Sequence, residues 1–394
     1  MRSHRRIAQN LLAVIILAFC FLVPFAQGVT AQTESKPVTS TKVDTTIFAG
    51  SGLEEQLVVG KVLEVTKPRV NKELLGSTGM VSNIQTVKLR ITEGVLSGKE
   101  FTIDNELTDN PAYNVDVKPG QEVIVALDQK PDGTIEINIA DYNRTPVLAW
   151  LLGAFLLAFL AFGGKQGFKS LLALLITVLL VACVLLPLSL QGFNPLMISV
   201  FICLAATATS ILLIGGFTKK SLAAIMGTVG GVIVAGIAAQ LVIWYAPLTG
   251  LSSEEAQILR GSVLVQKPPF YSGLLAAGML IGALGVIMDV GISIASAVAE
   301  ISKADAKMTM KELYNSGMNV GRDIMGTMTN TLILAYTGGA LPLLLLATQM
   351  PSIKLLNLDL FATEVASALS GSLGLVFTIP LTAIVAAKVM SPKD

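Results

Sequence analysis

Two rhythms of hydrophobic and polar residues divide the chain. From Leu57 to Ile139 apolar side chains alternate with polar ones in short runs, and beyond Pro146 they gather into long, nearly unbroken stretches. In QTVKLRIT, Val87, Leu89 and Ile91 point one way while Thr86, Lys88 and Arg90 point the other; in TIEINI, Ile135, Ile137 and Ile139 alternate with Glu136 and Asn138. A period of two is that of a strand with one buried face. With Leu57 to Val65, Phe101 to Ile103 and Val123 to Leu127, these runs predict five short strands. Turn signals part them at Lys67-Pro68, Ser97-Gly98, Pro119-Gly120 and Pro131-Asp132-Gly133. A small antiparallel barrel over 53–145, OB-like or SH3-like, is the natural closure, because an open sheet of this size would leave unpaired edges.

The long apolar stretches, over 146–394, predict seven membrane spans. They run from about Pro146 to Phe162, Ser170 to Leu190, Leu196 to Gly216, Leu222 to Ala246, Gly273 to Ala299, Ile324 to Gln349 and Phe361 to Lys388. Each is near the roughly 20 residues that a bilayer requires. Ahead of the strands, MRSHRR is a basic segment, Leu11 to Val23 an apolar one, and Val29-Thr30-Ala31 has the small-residue spacing of a processing site. Residues 1–31 therefore read as a cleaved signal peptide or, uncleaved, as a signal anchor of the same orientation. Residues 32–52, rich in Thr, Ser and Lys, read as a flexible lead-in.

Composition agrees with a polytopic α-helical membrane protein carrying an exported β domain. The chain is 53% hydrophobic and 14% charged, with a mean hydropathy of +0.69; soluble domains carry about 25% charged residues. A net charge of +1 offers nothing to nucleic acid. Its distribution is more informative. Loops expected on the cytoplasmic side, with the C-terminus, hold Lys165, Lys169, Lys219, Lys220, Lys303, Lys307, Lys311, Arg322, Lys388 and Lys393, whereas the opposite loops hold only Arg260, Lys267 and Lys354. By the positive-inside rule the β domain lies outside the cell membrane and the C-terminus inside. Cys20, Cys183 and Cys203 all fall in apolar segments, so no disulfide is expected in the exported domain.

Enzymatic chemistry finds little to work with. The single histidine, His4, precedes the first apolar run, which removes HExxH zinc sites and serine–histidine dyads, and no phosphate-binding loop is present. We expect no catalytic residues, no metal and no cofactor. One ionisable side chain does stand inside a span. In GLLAAGMLIGALGVIMDVGISIASAVAEI, Gly278, Gly282, Gly285, Asp289, Ser293, Ser296 and Glu300 follow at steps of three or four, forming one helical stripe. An ionised Asp facing lipid costs about 2.5 to 3.5 kcal/mol on insertion scales. The stripe is therefore expected to face a helix bundle or a water-filled path.

The sixth and seventh spans carry polar stripes of their own. Asp323, Thr327, Asn330 and Thr337 share a face of the sixth, and Glu364, Ser367, Gly371, Gly374, Thr378 and Thr382 a face of the seventh; Arg322 and Asp323 mark an interfacial edge. Together with the Asp289 stripe they are the candidate path. Gly227 with Gly231, and Gly278 with Gly282 and Gly285, have the spacing that lets helix backbones approach closely. Pro187, Pro342 and Pro380 fall within spans and are candidates for interrupted helices. Ser302 to Gly321 reads as an amphipathic interfacial helix. A short echo, Ile225-Met226-Gly227-Thr228 against Ile324-Met325-Gly326-Thr327, suggests a repeat of helical hairpins.

The blocks from Gly285 through Asp289, Ser293 and Ser296 to Glu300, then Ser316 to Asp323, then Thr329 to Tyr336, resemble the bacterial YibE/F-like family, and the likeness extends over the signal segment, the β domain and all seven spans. The resemblance implies a multi-pass protein of the bacterial cell membrane, surrounded by lipid. It implies as partners a second copy or a shorter related membrane chain. The activity expected is that of a permease or export-assisting protein with an ion, proton or solute path; the alternative is a non-transporting assembly or signalling subunit.

Overall fold

The computed structural model describes residues 56–70, 83–94, 96–108, 114–129, 135–261 and 269–392. The signal segment, the lead-in and the Pro131-Asp132-Gly133 turn lie outside the described residues. The chain divides into two compact units between Ala158 and Phe159.

In the first unit the five expected strands form, joined by a short sixth: β1 (Gln56–Val65), β2 (Arg69–Val70), β3 (Asn83–Ile91), β4 (Glu100–Leu107), β5 (Glu122–Gln129) and β6 (Ile135–Tyr142). β1 lies between β3 and β5, β4 pairs with the far side of β3 and β6 with that of β5, all antiparallel. The alternation is obeyed on β3, where Val87, Leu89 and Ile91 are buried beside Val62, Val125 and Ile137 in one core. Register shifts at Val62/Glu64 and Ile124/Val125 supply the bends that closure needs.

The gap between β4 and β6 is bridged by a strap, residues 115–117. Asn105 of β4 donates to the Val115 carbonyl (2.8 Å), and Tyr142 of β6 donates to that of Asp116 (2.8 Å). Gln85, buried on β3, donates to Asp116 Oδ1 (3.0 Å) and the Val117 carbonyl (3.1 Å), and accepts from Val117 N (3.3 Å). Val117 thereby enters the core at 1% exposure. A buried amide with its hydrogen bonds made fixes the strap without leaving a polar group stranded. The barrel is thus nearly closed.

The helices are α1 (Thr145–Leu180), which begins in the first unit and enters the second at Phe159, α2 (Leu186–Leu190), α3 (Pro195–Gly215), α4 (Lys219–Tyr245), α5 (Glu254–Gly261), α6 (Pro269–Ala304), α7 (Met310–Gly339), α8 (Leu341–Ala347), α9 (Ser352–Leu356) and α10 (Asp359–Met390). Among the described residues five helices are long and apolar enough to cross a membrane, or six if the bent pair α7 and α8 is one span. The stretch 145–190 enters that count once, yet Gly164 breaks it with φ 51° and ψ −133°. A Cβ built on Gly167 would lie 2.9 Å from the Phe159 carbonyl oxygen. In a straight helix residues eight apart are separated by about 12 Å. The backbone therefore turns sharply at Gly164, a conformation that a side chain would oppose.

The three prolines behave differently. Pro187 follows a π-helical turn at Val181–Leu185, where the missing amide loosens the ladder. Pro342 starts α8 just after a 71° bend at Ala340. Pro380 sits inside α10, which continues as one helix. The expected amphipathic segment and sixth span are not separate: Ser302–Ala304 end α6, and α7 runs unbroken from Met310 in the segment to Gly339 in the span. It starts in a capping box in which Thr309 and Glu312 satisfy each other's backbone amides, and it stops at Ala340, so the straight helix ends well before Gln349.

The core of this unit lies between α4, α6 and α10. A Cβ on Gly227 would fall 1.8 Å from Thr382 Oγ1, one on Gly231 1.8 Å from Thr378 Oγ1, and one on Gly374 2.7 Å from the Gly231 carbonyl oxygen. Backbone meets backbone there, and packing without side chains holds helices together in lipid.

Candidate functional site

Position on α6 decides what its polar stripe can do. Ala276, Leu280, Ala283, Ile287, Ile294 and Val298 are buried against the neighbouring helices. The stripe runs along the opposite side: Gly278, Gly282, Gly285, Asp289, Ser293 and Glu300 are exposed and Ser296 is half-buried. The stripe, expected to face a helix bundle or a water-filled path, lies on the open side of α6 among the described residues. A Cβ added to Gly278 or Gly285 would meet nothing within 4 Å, so neither packs closely against another described residue, unlike Gly227 and Gly231. At Gly282 an added Cβ would sit 2.7 Å from the Tyr336 hydroxyl of α7.

The depth of Asp289 follows from its flanking residues. Ile287 packs on Gly231 and Gly374, and Gly291 on Thr228, near the midpoints of α4 and α10. Asp289 thus stands halfway along the spans. Its level on α7 falls between Gly321, which meets Ile294, and Tyr336, which meets Gly282. Thr327 and Asn330 are at that level, exposed, and with Met325, Gly326, Thr329 and Val376 they line an open groove of about 600 Å³ between α7 and α10. Thr327 bonds its own helix at Ile324 O (2.9 Å), while the buried hydroxyl of Thr329 has no partner.

The edge residues are tied locally. Glu300 pairs with Lys303 (2.8 Å) one turn along. Arg322 donates to Asn319 Oδ1 (3.0 Å) and makes no ion pair with Asp323, which is exposed. The α10 set does not join the others. Ser367, Gly371, Gly374, Thr378 and Thr382 are buried, with Gly371 against Ala283 and Leu332 and the rest in the α4 interface or bonded within α10. They pack against neighbouring helices or bond within their own. Glu364 alone turns elsewhere, into a second cleft of about 250 Å³ with Tyr336, Thr337, Leu343, Phe361 and Ala368.

Sequence reasoning missed Tyr336 and Phe361, since a single aromatic on an apolar helix carries no periodic signal. It also missed the Thr-x-x-Glu start of α7, which is legible at 309–312. The two copies of Ile-Met-Gly-Thr have opposite surroundings. In α4, Gly227 and Thr228 are buried; in α7, Gly326 has nothing within 4 Å and Thr327 is exposed. Among the described residues no three His, Cys, Asp or Glu side chains come together to hold a metal ion.

Neither a curated protein nor a solved structure matches the chain. Two family descriptions do: YibE/F-like protein over residues 151–392, and YibE/F family N-terminal domain over residues 55–142. The first takes in the helices that carry Asp289, Asn330 and Glu364, the second the strapped barrel. The chain belongs to the YibE/F-like family.

Proposed function

We propose that the protein is a permease or export-assisting protein of the bacterial cell membrane, with an ion, proton or solute path along the uncovered polar face of α6 and α7. One observation carries this reading: a carboxylate, Asp289, at mid-depth on a span, exposed on the side of α6 opposite its buried apolar residues. Intramembrane ionisable groups are expensive and mark pathways by default. The face needs a cover, either water or another subunit, and a second copy or a shorter relative of the chain would provide one. Asp289 would then exchange a proton or cation between Ser293 on one side and Asn330 on the other.

The second reading is an assembly or signalling subunit, and the same open face favours it, since a docking helix also needs small residues and a polar lock. The strand order of the β unit, with β1 between β3 and β5 and with β4 and β6 outermost, is that of an OB-type barrel once the two-residue β2 is set aside, and suits a partner-binding module. Seven spans, with the reversal at Gly164 separating the first two, would put the β unit outside and the C-terminus inside.

Asp289→Asn separates the readings, because Asn keeps shape and hydrogen bonding but cannot ionise. In proteoliposomes carrying proton and cation gradients, wild-type flux lost in a stably folded Asp289→Asn protein is the expected result. Absence of flux in the wild type, with stoichiometric copurification of an envelope partner, would select the assembly reading. Sidedness is tested by cysteine labels: positions 134 and 252 should react with an impermeant reagent from outside, and position 307 should not.

A further inference from the structure

The cleft at the corner of α7, α8 and α10 is distinct in character from the Asp289 face. Its walls are apolar, from Ile333, Leu343, Leu344, Val365, Ala368 and Leu369, and it is shaped by the 71° bend at Ala340. Two aromatic residues, Tyr336 and Phe361, and one acidic residue, Glu364, complete the lining. Glu364 is half-buried and has neither a hydrogen bond nor an ion pair with a described residue. It stands five residues into α10, which begins at Asp359, so its carboxyl lies about 7 to 8 Å from the helix start. An amphiphile held near the end of a span can keep its charged head there while its apolar body reaches inward. Ala368 and Leu369 lie one turn further along the same helix and continue the apolar wall.

We propose that this cleft binds a lipophilic cation, a molecule with an apolar body and an ammonium-type head. The Glu364 carboxylate supplies the opposite charge, the faces of Phe361 and Tyr336 favour a cation over an anion, and the aliphatic walls take the apolar body. An anionic or neutral amphiphile of equal length would lose the first two contributions. The site is lined by neither Asp289 nor any other residue of the α6 stripe.

The test uses full-length protein in a neutral maltoside detergent and radiolabelled hexyltrimethylammonium, whose charge is permanent. Saturable binding, displaced by unlabelled probe but not by hexanol or hexyl sulfate, is expected. Glu364→Gln should weaken it by about tenfold or more, and Phe361→Leu, which keeps the charge and an apolar wall, by roughly threefold to tenfold. Asp289→Asn should leave it unchanged, which separates this site from the path. Displacement by phosphatidylethanolamine but not phosphatidylglycerol would identify the bilayer as the source of the cation; displacement by neither would point to a free solute. Equal competition by hexyl sulfate, or unaltered binding in Glu364→Gln, overturns the proposal. Should Glu364→Gln fail to fold, Phe361→Leu decides, and full retention of binding in that variant also overturns it.

Discussion

A Cβ added at Gly231 would meet Thr378 Oγ1 at 1.8 Å, and one added at Gly285 would meet nothing within 4 Å. Gly231→Leu should therefore destabilise the helical unit by on the order of 1–3 kcal/mol through overpacking, visible as a lower melting temperature in detergent. Gly285→Leu should leave the stability of the unit within about 0.5 kcal/mol of wild type, as for surface substitutions generally. If Gly285→Leu nevertheless abolishes flux or assembly, the face is covered in the working protein. The sequence shows glycines at helical spacing in both places, but spacing reveals only that a close approach is allowed. Which glycine has a partner depends on how α4, α6 and α10 meet, and that is settled by Thr378, Thr382 and Gly374 on a helix far away in the chain. The same ambiguity hid the role of the α10 hydroxyls, because Ser and Thr line packed interfaces and polar paths alike.

Among the elements, the strands were the most legible. Alternation on β3 and β6 identifies strand, face and core together, since a one-residue slip would put Val87, Leu89 and Ile91 in water. The strap over 115–117 was not legible, because its hold rests on Gln85 and Asn105, polar residues within strands that betray no partner. Cross-strand chemistry yields a prediction here. Asp128 and Glu136 are directly paired across β5 and β6, and burial, then the facing Glu136, push the Asp128 carboxyl above its usual range. Its folded form binds a proton more readily than its unfolded form, so its unfavourable contribution grows as pH rises through its titration. Asp128→Asn should stabilise the β unit at pH 7 by about 0.2–1 kcal/mol. The gain should shrink as pH falls and the wild-type carboxyl protonates; a gain independent of pH between 3 and 7 would show that charge is not the cause. Glu100, paired with Arg90 and Lys88 and held low by them, works in the opposite sense: its stabilisation is present above the ordinary carboxylate range and fades on acidification.

At the scale of the molecule, the division into a β unit and a helical unit was written in the change of rhythm near Pro146, and membrane character in the hydropathy. The exact set of spans was not, because a break such as Gly164 and a bend such as Ala340 depend on single backbone angles. The β unit has its own core, made from β1 and β3 to β6 with Val117, so residues 51–143 expressed alone should give a β-rich monomer with cooperative unfolding. A disordered circular dichroism spectrum would mean that the strap and barrel need the rest of the chain.

The unbroken course of α7 has a mechanical consequence. Its 30 residues make a rod about 45 Å long, with the amphipathic turns around Leu313 at one end, Thr327 and Asn330 near the middle, and the Ala340 corner at the other. A tilt of about 5° around its midpoint would displace the two ends by about 2 Å in opposite directions, given the 1.5 Å rise per residue. Force applied where Leu313 packs would be delivered to the corner that shapes the Glu364 cleft, with Asn330 near the fulcrum. Spin-label distances from Lys311 and from Gly338 to a fixed point on α4 should then change together and with opposite sign; independent changes would mean that the lever bends.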